Sequence, residues 1–376
     1  MYKKMQAHGI YVHVPFCKRK CFYCDFFSQA GFDDALMLQY ADAVVKQIEK
    51  NNFKAVPTTT IYFGGGTPSV MPVEGIKKIV TALKKQGLWQ NPLEATIECN
   101  PGTTDEKKLA TYKELGFNRL SFGVQSFNDE ELDAIGRVHN AKMALDAIEQ
   151  AKKFGFQNIN IDLIFGLPKQ TLNSFQKTLE TFIQLDLPHL SLYSLILENN
   201  TPLQTMVQEK KVILPNENLV ADMDDLAEKI LYQNNYERYE ISNFTRKNKE
   251  AKHNLVYWNY LPYLGFGAGA TGFDGYARYK GIEDIKIFIE NQKLIKENLT
   301  QNNLYSEFMF MNLRKKTGVC LKNFEERYGE NITEKTLQKL QNCIKNRLVE
   351  YDEENQILFL TKKGRNLSNL VFRELV

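Results

Sequence analysis

Strand-like and helix-like patterns alternate through the first half of the chain, and this alternation limits the possible folds more than any other feature. Each strand-like run precedes a segment with helical periodicity; the runs are GIYVHVPF (9–16), TTIYFGGG (59–66), ATIECN (95–100), RLSFGVQ (119–125), NINIDLIFG (158–166) and HLSLYSLI (189–196). Consecutive strand–helix units form parallel sheets, because parallel neighbours need crossover helices. No GxGxxG motif follows the first run, so a doubly wound nucleotide-binding sheet is disfavoured. We therefore predict an α/β fold with a curved sheet or partial (β/α)6 barrel.

Polar and glycine residues stand where these predicted strands end. They are Cys17 after the first strand, Gly64–Thr67 after the second, Glu98 near the end of the third and Gln125 after the fourth. In barrels of this type the chemistry gathers at that edge. The fifth strand has one polar face, formed by Asn158, Asn160 and Asp162. A polar face inside a parallel sheet needs partners, and a bound ligand would supply them.

The pattern changes after about residue 236. YERYEISNF (236–244) is strand-like, GFGAGATGF (265–273) is rich in glycine, and from about Ile282 the chain is mostly helical. LVEYDEENQILFLTKKG predicts a hairpin around residues 352–355, flanked by helices. We therefore predict two domains, 1–240 and 241–376, the second being smaller, mainly helical and winged-helix-like. We expect it to cover the barrel rather than to bind DNA.

Composition narrows the function classes. The formal net charge is only +3, and no long run of Lys or Arg is present, so a dedicated nucleic-acid surface is not indicated. No apolar stretch approaches the roughly 18 residues of a membrane-spanning helix. The N-terminal residues lack the apolar core of a secretory signal. A cytoplasmic location is expected.

Three of the six cysteines lie close together in the segment CKRKCFYC (17–24). Clustered cysteines in a reducing compartment more often bind metal than form disulfides. Three thiolates on one loop can converge on an iron–sulfur cluster and leave one iron open for a second molecule. Lys18, Arg19 and Lys20 would help to keep these thiolates ionised. A zinc site completed by His13 is the alternative; the remaining cysteines, Cys99, Cys320 and Cys343, should be dispensable.

The spacing Cx3Cx2C followed by GGGTP (64–68) resembles the radical S-adenosylmethionine (SAM) superfamily. In that superfamily SAM chelates the open iron of the cluster and is cleaved to a 5′-deoxyadenosyl radical. The segments YVHVPFCKRKCFYCDF, IYFGGGTPS, IECNP, LSFGVQSFNDEEL, GRVH, NIDLIFGLPKQT and HNLVYW extend the resemblance over nearly the whole chain. Together they look like the oxygen-independent coproporphyrinogen dehydrogenase group and, within it, most like the HemW-type haem chaperones.

The resemblance implies the residues of the site. A [4Fe-4S] cluster would be held by Cys17, Cys21 and Cys24, with Tyr11 and Tyr23 beside the cluster and the adenosyl group. The SAM amino group would be met by Gly65, Gly66 and Thr67. The rest of the SAM pocket would be lined by Glu98, Gln125, Arg137 and Asp162. The chemistry agrees, because an arginine suits a carboxylate, and an acidic residue suits an ammonium group or ribose hydroxyls.

Two departures from the dehydrogenase favour the chaperone branch. The dehydrogenase carries a further cysteine two residues after the triad, where this chain has Phe26, and it has a long segment before the cluster loop, where this chain has 16 residues before Cys17. HNLVYW matches the HNxxYW signature of the chaperone branch, which is associated with haem, and its position after the barrel strands predicts a haem-binding connecting loop in the second domain. The haem-binding residues would be His253, Asn254, Tyr257 and Trp258. The alternative for this motif is a buried His–Asn pair with two packing aromatic residues.

The resemblance predicts a haem chaperone that binds a [4Fe-4S] cluster, SAM and haem and delivers haem to acceptor proteins, including membrane respiratory enzymes. Peripheral membrane contact and a homodimer are compatible with this function. The second hypothesis is an oxygen-independent coproporphyrinogen III dehydrogenase that decarboxylates propionate side chains by a radical mechanism. A radical SAM enzyme that modifies RNA is less favoured, because no basic RNA-binding module is evident.

Overall fold

The computed structural model describes residues 6–51, 54–329 and 332–376. The strands are β1 Gln6–Val14, β2 Phe16–Cys17, β3 Gln29–Ala30, β4 Lys54–Gly65, β5 Glu94–Cys99, β6 Arg119–Gln125, β7 Asn158–Phe165, β8 His189–Ser194, β9 Glu237–Arg238, β10 Asn243–Thr245, β11 Tyr263–Phe266, β12 Thr271–Phe273, β13 Ala277–Gly281, β14 Leu294–Asn298, β15 Val319–Cys320, β16 Val349–Asp352 and β17 Ile357–Leu360.

The helices are α1 Asp34–Glu49, α2 Val73–Lys85, α3 Glu106–Leu115, α4 Asp129–Ala134, α5 Ala141–Lys153, α6 Leu172–Gln184, α7 Pro202–Gln208, α8 Glu217–Gln233, α9 Lys252–Trp258, α10 Ile285–Asn291, α11 Gln301–Leu313, α12 Leu321–Tyr328, α13 Thr333–Lys339, α14 Gln341–Lys345, α15 Lys362–Asn366 and α16 Ser368–Leu375, and a 3₁₀ turn spans Pro68–Val70. Within the described ranges, none of these helices is both long and apolar enough to cross a bilayer.

Six parallel strands form the centre of the main sheet, in the order β1-β4-β5-β6-β7-β8. This arrangement confirms the predicted α/β class and the six strand–helix units. Local signals begin the crossover helices: Asp33 caps α1 by accepting a hydrogen bond from the amide of Leu36 at 2.9 Å, and Thr171 and Ser174 form a capping box at α6. The main apolar core lies between the sheet and these helices.

The sheet is extended at both ends beyond the predicted barrel. Strand β11 pairs in parallel with β1 on the side away from β4, so that Leu264 lies opposite Ile10, and β12, β13 and β14 continue antiparallel from it. At the other end β10 and β9 add to β8. The expectation that the chain is mostly helical from residue 282 misses β14, which pairs along β13.

The C-terminal part has a core of its own. A small antiparallel sheet in the order β15-β17-β16 packs among helices α11 to α16 around buried residues that include Phe308, Phe324 and Leu358. The predicted hairpin at residues 352–355 is confirmed, with β16 and β17 as its arms. The domain boundary at 240/241 remains a prediction; the main sheet continues past it to Asn298.

Candidate functional site

The cluster loop, residues 17–24, follows the end of β1 and is held by hydrogen bonds to residues 135–137. The guanidinium of Arg19 donates to the carbonyl oxygens of Gly136 at 2.8 Å and Arg137 at 2.9 Å, and the amide of Phe22 donates to the carbonyl of Ile135 at 3.0 Å. The ring of Phe22 packs so close to Gly136 that a β-carbon there would approach it to 3.0 Å. Arg19 therefore fastens the loop to the GRVH segment rather than contacting the thiols.

The sulfur atoms of Cys17, Cys21 and Cys24 are free and half-buried. The Sγ atom of Cys17 lies 3.6 Å from the hydroxyl of Thr67, and Arg137 Nη1 donates to Cys21 Sγ at 3.3 Å. Burial raises the pKa of the Cys24 thiol to about 11. A metal centre that binds these sulfurs would have to displace their protons, as thiolate coordination generally does.

The glycine triplet lets the backbone pass directly under this loop. A β-carbon on Gly66 would lie 2.7 Å from the carbonyl oxygen of Phe16 and 3.1 Å from Cys17 Sγ. Gly65 has a φ of 116° and lies against the imidazole of His13, where a β-carbon would approach to 2.6 Å. Only glycine fits at these two positions, so the motif lets the backbone pack closely against Phe16 and His13 beside the sulfurs.

The donor set fits an iron–sulfur cluster better than a zinc ion. In the described ranges no group of three or more His, Cys, Asp or Glu side chains is spaced to hold a single metal ion. His13 cannot complete a zinc site as it stands, because Nε2 bonds the Phe27 carbonyl at 2.8 Å and Nδ1 bonds the Tyr11 hydroxyl at 2.9 Å. A cluster needs sulfurs spread around several irons, and three free thiols on one loop match that need.

A polar cavity of about 140 Å³ opens directly beside the sulfurs, and it continues into a deeper cavity of about 340 Å³ inside the sheet. The first cavity brings together most of the predicted site residues, namely Cys17, Cys21, Tyr23, Cys24, Gly65, Gly66, Thr67, Glu98, Gln125, Arg137 and Asp162. Tyr11 is not among its lining residues. The combined space is in the size range of small-molecule sites, which begins at roughly 300 Å³.

Glu98 is an acidic residue that contacts the glycine triplet directly. Its carboxylate accepts hydrogen bonds from the Tyr62 hydroxyl at 2.7 Å and from the Gly65 amide at 3.2 Å. Burial raises the pKa of Glu98 to about 7, and the hydrogen bond from Tyr62 works against that shift. The side chain can therefore change charge near neutral pH and can accept a donor from a bound ligand when it is ionised.

Asp162 and Gln125 face the same cavity from neighbouring strands. The carboxylate of Asp162 accepts from Asn160 Nδ2 at 2.8 Å, and burial raises its pKa. A register shift between Gly123 and Gln125 places Gln125 at a φ of 71°, which is unusual for a residue other than glycine. Such bulges re-aim side chains beside functional sites.

Arg137 links the cluster loop to the ends of two strands. Besides Cys21 it donates to the side-chain oxygen of Asn100 and to the carbonyl of Gly123. Asn100 in turn donates to the Thr67 hydroxyl at 3.4 Å. Asn100 was not predicted as a site residue, although it stands in the quoted segment IECNP directly after β5.

Two further residues of the deeper cavity also escaped sequence reasoning. Tyr62 supports Glu98 as described above. The guanidinium of Arg119 is buried; its Nη2 lies 3.5 Å from His189 Nδ1, and its Nε has no hydrogen-bond partner among the described residues. Arg119 is the first residue of β6, RLSFGVQ, in which polar and apolar residues alternate. That alternation is the sequence pattern that indicates that Arg119 faces the cavity.

HNLVYW forms helix α9 rather than a connecting loop, and its histidine is buried and fully hydrogen-bonded. His253 Nδ1 contacts the Thr60 hydroxyl at 2.9 Å, and Nε2 contacts the Tyr257 hydroxyl at 2.8 Å. The imidazole stacks on Tyr62 with ring centres 5.2 Å apart, and burial lowers the pKa of His253 to about 3. This geometry corresponds to the alternative stated for the motif, a buried histidine with packing aromatic residues.

The other members of the motif point to different places. Asn254 lines the deeper cavity, whereas Tyr257 lines a separate cavity together with Tyr11. Trp258 lies under the guanidinium of Arg314, 4.3 Å from its ring centre, and its indole nitrogen is buried without a hydrogen-bond partner in the described residues. The structure therefore does not gather these four residues around one ligand.

Comparisons with known proteins identify the family of the chain. A model of the radical SAM superfamily matches residues 11–182, and a model of the HemN C-terminal domain matches residues 299–367. The chain is 37% identical to the heme chaperone HemW of Lactococcus lactis over 98% of this chain and 97% of the relative, and 36% identical to the heme chaperone HemW of Bacillus subtilis over 96% and 97%.

The solved structure of coproporphyrinogen III oxidase (HemN) from Escherichia coli, described as a radical SAM enzyme, shares the fold. Its TM-score is 0.85 at 24% identity, with 99% of this chain and 91% of that chain covered. Full-length identity above one third to several curated relatives decides the family. The chain belongs to the radical SAM superfamily and, within it, to the family of the heme chaperone HemW.

Proposed function

We propose that this protein is a haem chaperone: it holds a [4Fe-4S] cluster on Cys17, Cys21 and Cys24, binds SAM beside it, binds haem, and passes haem to acceptor proteins. The observation that carries the metal part is the set of free sulfurs lining one cavity with Glu98 and Arg137. When bound, the cluster would offer an open iron and an electron to a SAM molecule.

The chain's own residues have separable tasks in this proposal. The backbone edge at Gly65 and Gly66 admits the amino group of SAM, Glu98 accepts hydrogen bonds from it when ionised, and Arg137 holds Cys21 and the ends of two strands in place. Asp162 is the second acidic partner, suited to ribose hydroxyls. Arg19 keeps the loop fixed, so the three sulfurs meet the cluster without ordering a mobile segment.

The chaperone hypothesis is favoured over the dehydrogenase by Phe26. This residue stands where the dehydrogenase carries a further cysteine, and its side chain is 66% exposed at the rim of the cluster cavity. Radical chemistry on a substrate needs water and competing reactants to be excluded. An exposed rim beside the sulfurs suits storage and transfer of a cofactor better than a sealed reaction chamber.

The acceptors would be haem proteins, including respiratory enzymes in the membrane, and the protein would meet them from the cytoplasm by peripheral contact. A homodimer is compatible with this role. Curated relatives carry the name heme chaperone, which supports haem as the cargo.

The test uses anaerobically reconstituted protein. Haem titration should give saturable binding, and mixing with a haem-free acceptor should move haem to the acceptor. In parallel, coproporphyrinogen III, SAM, a low-potential reductant and an electron acceptor for the substrate radical are incubated with the protein, and no protoporphyrinogen should form. Formation of that product would replace the chaperone hypothesis with the dehydrogenase hypothesis, and a lack of haem binding would also contradict it.

A further inference from the structure

A third cavity meets the cluster cavity at Gly65 and Glu98. It has a volume of about 410 Å³ and is bounded by β1, by the end of the cluster loop and by the extension β11–β13. We call it the aromatic cleft and define it by Tyr11, Phe26, Phe27, Tyr257, Tyr263 and Lys280. It shares Phe26, Gly65 and Glu98 with the cluster cavity, so the two spaces adjoin.

The walls of this cleft are aromatic on three sides. Tyr257 and Tyr263 meet edge to face with ring centres 4.7 Å apart, and Phe27 stacks on His13 at 6.1 Å. Aromatic faces hold flat conjugated ligands by stacking. Phe26 is exposed at the entrance, so a ligand could cover it and remove its ring from water.

The mouth of the cleft carries one cation, Lys280, and one carboxylate, Glu283, and both residues line it. Lys280 on β13 forms an ion pair with Glu283 at 2.8 Å, and both side chains are about half exposed. Exposed pairs of this kind are weak, so Lys280 can exchange this partner for a carboxylate of a ligand at little cost. A flat ligand with peripheral carboxylates could stack on the aromatic walls and replace Glu283 as the partner of Lys280.

Neither imidazole near the cleft is free to bind a metal ion. His253 is engaged by Thr60 and Tyr257, and His13 is engaged by Tyr11 and the Phe27 carbonyl. Burial raises the pKa of the Tyr257 phenol well above its ordinary value, so it stays protonated and is a poor phenolate ligand. The groups available in the cleft would hold the ring of a ligand rather than a metal at its centre.

We propose that the aromatic cleft is a tetrapyrrole site that binds the porphyrin ring by stacking and one propionate through Lys280, with no iron ligand from His253 or His13. This inference rests on the proposed haem function and assigns it a location. Binding through the porphyrin ring alone also suits a chaperone. An acceptor protein that supplies an axial ligand to the iron would then bind the haem more tightly and receive it.

The first test compares haem with metal-free protoporphyrin IX in titrations followed by absorbance and fluorescence. The wild-type protein should bind the two with similar affinity, because the iron makes no essential contact. A strong preference for haem over the metal-free ring would overturn the proposal.

The second test uses four variants. Lys280→Glu should weaken binding of both porphyrins by about tenfold, which corresponds to about 1.4 kcal/mol, whereas the matched change Lys296→Glu on the neighbouring strand, outside the cleft, should not. Tyr257→Phe should keep the affinity and Tyr257→Ala should lower it. Unchanged affinity in both Lys280→Glu and Tyr257→Ala would place the site elsewhere and overturn the proposal. Failure of the wild-type protein to bind either porphyrin would instead contradict the proposed function.

Discussion

The cluster loop and helix α9 both carry motifs of metal-binding residue types, but the fold treats them in opposite ways. Cys17, Cys21 and Cys24 form no disulfide and line a cavity that a ligand can enter. His253 has a hydrogen-bond partner on each ring nitrogen and lies in the core. The difference shows that residue type identifies a candidate ligand, whereas the partners supplied by the fold decide whether that ligand is available.

The two motifs are also connected physically. The imidazole of His253 stacks on Tyr62, the Tyr62 hydroxyl donates to Glu98, and Glu98 accepts from the amide of Gly65 beside the cluster loop. Helix α9 therefore supports the SAM pocket from behind. A change at His253 should affect SAM binding indirectly through the position of Glu98.

The largest expected effect is at the cluster loop. Replacing any one of Cys17, Cys21 or Cys24 with Ser should abolish the brown chromophore after anaerobic reconstitution, because three thiolates are the fewest that leave a single open iron. Cys320→Ser is the matched control and should retain full iron content. Iron and sulfide analysis with absorbance spectra measures the result, and a stable zinc site in wild-type protein would contradict it.

In helix α9, we expect His253→Ala to lower the stability of the fold without removing haem binding. Loss of a buried side chain with two hydrogen bonds should lower the free energy of unfolding by about 2–4 kcal/mol. His8→Ala, at a half-buried position on β1, should cost much less. Denaturant unfolding and haem titration are measured on the same samples. A folded variant that has lost the axial-ligand signature of bound haem would show that His253 is a ligand after all.

Glu98 connects the two motifs, and its raised pKa makes its contribution to stability depend on pH. Its folded pKa of about 7 lies above its ordinary value of 4.5, so the carboxyl stabilises the fold fully below pH 4.5 and loses that contribution as pH rises through 7. Glu98→Gln should therefore gain stability relative to wild type as pH is raised from about 5 to about 8, by up to about 3 kcal/mol.

The same titration should appear in ligand binding with the opposite consequence. SAM affinity of the cluster-loaded wild-type protein should rise with pH through 7, since the ionised carboxylate is the better acceptor for an ammonium group. Glu98→Gln should remove this dependence, while Glu290→Gln, at an exposed position on α10, should keep it. A pH-independent affinity in wild type would show that Glu98 does not contact the ligand.

The smallest expected effect concerns Arg19, which fastens the cluster loop to residues 136 and 137. Arg19→Ala removes two hydrogen bonds to the carbonyls of Gly136 and Arg137, which together should contribute about 1–3 kcal/mol to the position of the loop. The cluster should still assemble but should decay faster in air. Lys20→Ala, which loses one exposed contact of 3.2 Å, is the control. Equal decay rates for the two variants would show that the anchor is unimportant.

The central sheet and most of its cavity could be predicted from the sequence, because both depend on local patterns. Strand–helix alternation located the six parallel strands, and the strand ends identified Gly65, Glu98 and Gln125. Strands β11 to β14 could not be found in the same way. They are short and rich in glycine, and they exist because β1 offers them a free edge, which is a property of the assembled sheet.

Two differences between the expected and the observed surroundings of site residues have a similar origin. Tyr11 was grouped with Tyr23, yet the strand turns it toward His13 and the aromatic cleft. The sequence of α9 shows a histidine and two aromatic residues, but not that Thr60, from a strand nearly two hundred positions earlier, occupies one ring nitrogen. Long-range partners decide these cases, and a local motif contains no information about them.

The pairing of β1 with β11 has a consequence for synthesis on the ribosome. The strand that leads into the cluster loop receives its second neighbour only when residues 263–266 have left the ribosome, long after the loop itself. Until then the backbone of Ile10–Val12 is an unsatisfied edge, and such edges recruit other chains. We expect chains stopped before residue 263 to aggregate and the cluster to be inserted late, after the sheet has closed beside it.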